Sequence, residues 1–164
     1  MTAARLAAIA ATAGMLSACY HGPGTNSPVV DRAYPPGVLS ASPAPAPTGL
    51  YAARFFGAYN CCWMQKSATF QTTVARGARA IRVMVSLPPQ ALPYDTRPEA
   101  VDVRVAGAPA RTFRGLRSGI FALDVPLAPR ASGAVTVRVD AAYTAPVPGT
   151  PFERSLQIRG VHTL

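Results

Sequence analysis

The sequence predicts an all-β protein, an antiparallel β-sandwich of about eight strands carried behind a Pro-rich spacer. Three observations predict it. Apolar β-branched residues alternate with polar ones over short runs, Gly and Pro punctuate those runs at regular intervals, and no amphipathic helical period interrupts them.

The alternation begins at Leu50. Ile81, Val83 and Val85 alternate with Arg82 and Met84; Val101, Val103 and Val105 with Asp102 and Arg104; Val135, Val137 and Val139 with Thr136 and Arg138. Such period-two patterns mark strands with an apolar face inward and a charged face outward. Residues 51–56, 67–74, 110–115, 119–125 and 155–161 complete the expected set. Turn chemistry separates them at Arg76-Gly77, Pro88-Pro89, Ala106 to Pro109, Gly115 to Gly119, Pro126 to Gly133 and Pro146 to Pro151. Residues 90–100, with Pro93 and Pro98, read as a long loop. The connections are expected to be jelly-roll or immunoglobulin-like.

Ahead of the domain at 50–164, residues 19–49 are rich in Pro, Gly, Ser and Ala and hold seven of the chain's seventeen prolines. A segment of this kind favours extended conformations and cannot bury a core. It reads as a disordered spacer, with Val29, Val30, Val38 and Leu39 as the residues able to dock on the domain. Residues 1–18 hold one basic residue, Arg5, then an apolar run from Leu6 to Leu16. That is the layout of a signal peptide, and the run is short of the roughly 20 apolar residues a membrane span requires.

Leu16, Ser17, Ala18 and Cys19 resemble the lipobox of bacterial lipoproteins at all four positions. The resemblance implies cleavage before Cys19, a diacylglyceryl group on its sulfur and an acyl chain such as palmitate on its amine. Several acyl chains together make a lasting lipid anchor. Tyr20 follows the cysteine where this family's inner-membrane retention residue is Asp, which implies the outer membrane, facing the periplasm or the cell surface.

Removing the first 18 residues leaves 146 of 164, one domain and its spacer, and takes the formal charge from +9 to +8. Lys66 is the sole lysine among the basic residues. Export argues against nucleic acid as a partner; phospholipid headgroups, lipopolysaccharide and other envelope polymers are the polyanions within reach. Dispersed arginines also serve simply to solvate outer strand faces.

Cys61 and Cys62 are the cysteines left beside Cys19, in a compartment that permits disulfides. Neighbouring Cα atoms lie about 3.8 Å apart, short of the usual disulfide span of about 4.4–6.8 Å, so a vicinal bridge requires a turn. Gly57, Tyr59 and Asn60 allow one. Bridges to another chain and unreactive thiols are the other readings.

Catalytic constellations are scarce. His21 lies in the spacer and His162 near the end of the sequence, and seven carboxylates, Asp31, Asp95, Glu99, Asp102, Asp124, Asp140 and Glu153, form no motif. Asp102, Asp124 and Asp140 occupy outward strand positions suited to solvated charge. Asp95 and Glu99 share the long loop with Tyr94 but lack the oxygen-rich spacing of a calcium loop, so no metal or cofactor is expected. Phe55, Phe56, Tyr59 and Trp63 crowd around the paired cysteines. They offer rings for a ligand or partner, as does Tyr94, or a core strand with Trp63 closing one end of the sandwich.

The order of features from Leu50 to Leu164 also resembles accessory β-sandwich modules of bacterial envelope and carbohydrate-active proteins. The pieces that carry it are the Trp63-centred start, Ala68-Thr69-Phe70, Leu87-Pro88, Val101 to Gly107, Gly119 to Pro126 and Arg154 to Ile158. The paired cysteines before Trp63 depart from it, and it transfers no catalytic residue. Together these readings give the expectation of a non-catalytic, outer-membrane-anchored binding or assembly module for an envelope protein or glycan. The alternative is an envelope polysaccharide hydrolase.

Overall fold

The computed structural model describes residues 34–39, 45–51, 62–89 and 96–164. Among these residues the protein is all-β and antiparallel. Its ten strands are β1 (Thr48–Leu50), β2 (Met64–Val74), β3 (Ala80–Leu87), β4 (Glu99–Val105), β5 (Arg111–Leu116), β6 (Gly119–Pro126), β7 (Gly133–Ala141), β8 (Ala145–Pro146), β9 (Glu153–Arg154) and β10 (Gln157–Thr163). Seven of the eight expected strands are present with bounds within three residues. The eighth, 51–56, lies outside the described residues apart from Tyr51, which follows β1.

Two sheets face each other. One runs β1-β2-β7-β4-β5 and the other β10-β3-β6, with β8 and β9 forming a separate hairpin. The register puts each apolar run on one face. Ala68 pairs with Val139 and Phe70 with Val137 across β2 and β7, and Val103 and Val105 pair with Val139 and Val137 across β4 and β7. In the smaller sheet Val83 pairs with Leu123 and Val161, and Ile81 with Val125. These side chains make one buried core with Met64, Leu87, Leu156 and Ile158. A one-residue slip would turn every one of them to solvent, so the alternation fixes the pairing.

The two long sides of the sandwich are closed differently. On the β2/β10 side the chain seals the gap. Cys62 accepts from the Ile158 amide, the Met64 amide donates to the Leu156 carbonyl, and the Ser155 hydroxyl donates to the Gln65 carbonyl at 2.7 Å. Part of the Pro-rich stretch adds to this seal: the Leu39 amide donates to the Gln71 carbonyl, and the Val161 amide to Pro36. Val38 packs on the core; Val29 and Val30 lie outside the described residues.

Two glycines make that close approach work. Gly37 and Gly49 both have positive φ, 83° and 66°. A Cβ on Gly37 would run into the Val161 carbonyl, and one on Gly49 into the Ser67 carbonyl. Among the described residues the β5/β6 side has no such cover. Arg111 and Phe113 pair with Val103 and Val101 and so stand on the core-facing side, yet Arg111 is exposed and Phe113 half-buried. The three-stranded sheet does not reach over β5; its edge strand β6 packs on β4 instead.

Candidate functional site

Cys19, Phe55, Phe56, Tyr59, Cys61 and Tyr94 lie outside the described residues. Trp63 is buried, 3 % exposed, and bridges to Gln157 of β10. The guanidinium of Arg154 covers its ring at 4.8 Å, a cation-π stack. The Trp63 ring is thus packed away beside β10 under Arg154. Cys62 is fully buried and disulfide-bonded, with its partner outside the described residues. Close by, Tyr51 donates to the Glu153 carbonyl at 2.8 Å and meets Phe152 edge-on, which fixes the β8–β9 hairpin against the end of β1.

The five described carboxylates are all engaged by donors of this chain. On the outer face of the larger sheet, Asp140 is gripped by Arg138 at 2.8 Å, receives the Ser67 hydroxyl, and has Arg104 at 3.8 Å. The hydrogen bond from Arg138, aided by the Ser67 hydroxyl and both arginine charges, holds the Asp140 carboxyl below its ordinary range against a desolvation that opposes it. On the other sheet Arg82 forks onto Asp124 with two bonds of 2.8 Å, and that hydrogen bonding lowers the Asp124 carboxyl in the same way. Asp102 accepts from Thr112, and Glu153 from Thr144. Arg82–Asp124, Asp102–Thr112 and Ser67–Asp140 are cross-strand pairs, on the outward positions the alternation gives to Asp102, Asp124 and Asp140.

Glu99 is different, and sequence reasoning misplaced it. It is the first residue of β4, not a loop residue, and no part of it is exposed. Its Oε1 accepts from the backbone amides of Ala100, Ala142 and Tyr143 at 3.0, 2.9 and 3.3 Å. Its Oε2 is buried with no hydrogen-bond partner. Desolvation raises its pKa above the carboxylate norm, more than the three amides and the charge of Arg97 can offset. Arg97 lies 3.7 Å above the Tyr143 ring, capping the same corner. The signal for this was in the sequence: Glu99 shares the parity of Val101, Val103 and Val105, so the alternation continues inward through it.

A raised, buried carboxyl is a candidate acid or base. Here its accepting oxygen is filled by backbone donors, so what it does is pin the end of β7 to the start of β4. Among the described residues no three His, Cys, Asp or Glu side chains converge as a metal set. An open groove of about 380 Å³ runs beside the docked Pro-rich segment, lined by Leu39, Thr72, Thr73 and His162 among others. It contains no convergent acid or base pair.

Among the described residues the fold and these sites thus define an antiparallel sandwich whose carboxylates are engaged by its own donors and whose β5/β6 side is uncovered. No family model, curated protein or solved structure matches the chain.

Proposed function

We propose that the protein is an outer-membrane lipoprotein whose sandwich acts as a non-catalytic binding or assembly module for an envelope protein or glycan. The observation that carries this reading is the engagement of every described carboxylate by the chain's own donors, Glu99 by three backbone amides above all. The address comes from Leu16-Ser17-Ala18-Cys19, with a lipid on Cys19 joining the protein to the membrane.

The docked segment adds a limit on reach. Thirty free residues from Tyr20 to Gly49 would extend about 90 Å at about 3.1 Å per residue. With Tyr34 to Leu39 held against β2 and β10, the fourteen residues 20–33 set an upper limit of about 43 Å at about 3.1 Å per residue. The module then works close to the membrane that carries it.

The test is crosslinking of the lipidated protein in its native envelope, followed by mass spectrometry. A stoichiometric protein or glycan adduct is expected, and it is lost from the membrane fraction together with acyl labelling in Cys19→Ala. Membrane retention and acyl labelling of Cys19→Ala at wild-type levels would overturn the anchor. Hydrolysis of a purified envelope polysaccharide by the protein would overturn the non-catalytic reading.

A further inference from the structure

An antiparallel sheet ends in strands whose outer backbone groups have no ladder partner, and such an edge recruits another strand unless something covers or blunts it. This protein treats its two sides unequally. The β2/β10 side is bonded shut by Pro36, Leu39, Thr48 to Leu50 and Cys62. Among the described residues the β5/β6 side is left as two sheet edges joined by Arg117 and Ser118.

The chemistry of the open edge is specific. β5 carries exposed Arg111 and Arg114, with Phe113 half-buried between them. Just past the turn, Ile120 of β6 is 65 % exposed, the most exposed large apolar side chain of the described residues. The arginines of the neighbouring strands are spent: Arg82 on Asp124, and Arg104 and Arg138 on Asp140. Arg111 and Arg114 have no acidic partner among the described residues. A second copy of this chain would bring another Arg111 and Arg114 to a ladder only about 4.8 Å away, setting like charges together. An acidic strand brings the counter-charge to Arg114 on the outer face, and apolar residues alternating with its acids would cover Phe113 and the stem of Arg111 on the inner face.

We propose that β5 is a docking edge that takes an extended, acidic segment of a partner protein as an added strand. Main-chain bonds to β5 supply the grip, Arg114 on the outer face reads the acidic side chains, and Phe113, with the aliphatic stem of Arg111 on the same inner face, receives the apolar ones. The inference rests on the reading of the protein as a binding module and names the class of its partner.

The experiment uses the whole protein in mild detergent and two labelled nine-residue probes, one alternating Glu with Val and one alternating Lys with Val. Binding is followed by fluorescence anisotropy and, for the bound state, by amide hydrogen exchange. The Glu-Val peptide is expected to bind and to slow exchange at least tenfold at two or more amides of Arg111–Leu116. Arg111→Glu with Arg114→Glu should weaken it at least tenfold, while Arg76→Glu, in the β2–β3 turn, changes it less than twofold. The exchange map needs no variant, so it stands even where the double substitution fails to fold.

Equal binding of the Lys-Val peptide, or binding with no slowing on β5, would overturn the proposal. So would the same slowing by phosphatidylglycerol vesicles or polygalacturonate, which would assign the edge to a lipid or a glycan. Slowing confined to another edge overturns it too, but leaves the binding-module reading intact. A failure of membrane anchoring, by contrast, leaves this edge untouched.

Discussion

Replacing Glu99 separates two roles that its buried carboxyl combines, acceptor and titratable group. Glu99→Ala removes the acceptor of three amides. Ala142 keeps its bond to the Ala100 carbonyl, so two donors, those of Ala100 and Tyr143, lose their partner. At about 1–3 kcal/mol for each unsatisfied buried donor, with entering water recovering part, the loss comes to about 3 kcal/mol. Glu99→Gln keeps an acceptor oxygen in place and removes the titration. Because burial raises the folded pKa above the ordinary 4.5, the folded state holds a proton that the unfolded chain has already released. The stabilisation from that proton is complete below about pH 4.5 and is lost as pH climbs through the folded value, by up to about 1.4 kcal/mol per pH unit within that window. The stability of wild type relative to Glu99→Gln should therefore be highest near pH 4 and decline as pH rises. Urea unfolding at pH 4, 5, 6 and 7 measures the difference directly. A pH-independent difference, or one that grows in favour of wild type with pH, would refute the burial argument. A loss below about 1 kcal/mol in Glu99→Ala would refute the backbone role.

Three further outcomes follow from the packing. Gly37→Ala and Gly49→Ala each force a side chain into left-handed backbone against a facing carbonyl. Each should lower stability by about 1–3 kcal/mol, and chemical denaturation showing no loss would mean the Pro-rich segment is not held where described. Phe70→Ala empties the centre of the larger sheet, where the ring is 2 % exposed. The expected cost is about 3–5 kcal/mol, and a melting midpoint within a degree of wild type would contradict it. Asp140→Asn weakens the network with Arg138, Arg104 and Ser67. Since its folded pKa lies below 3.8, its contribution is present above that value and fades as pH falls through the folded pKa. Solvent screening keeps it to no more than about 1 kcal/mol at pH 7, and an effect that survives unchanged at pH 2 would exclude the ionised pair.

Local pattern carried most of the strands. Val101, Val103 and Val105, or Val135, Val137 and Val139, report their own inward face because successive side chains alternate whatever the strand pairs with. The two-residue strands of the β8–β9 hairpin lack the length to show any period, and β1 is hidden by the Pro-rich composition around it. Glu99 was readable in parity but was overruled by its charge, since an acid is seldom buried without partners. Those partners, the amides of Ala142 and Tyr143, lie more than forty residues away and become visible only when β7 lies beside β4.

The sequence by itself determined that the chain makes an antiparallel sandwich, which side chains face inward along the long strands, and that Asp102, Asp124 and Asp140 stand on outward positions. These follow from a two-residue period and from turn residues, both local. Only the tertiary structure decided the strand order, the docking of Gly37 and Gly49 on one side, and the exposure of Arg111 and Phe113 on the other. β5, Arg111–Leu116, carries no apolar alternation of its own, and its cover depends on how far the opposite sheet extends. That sheet ends at β6, so among the described residues an inward-facing arginine and phenylalanine are left at an open edge.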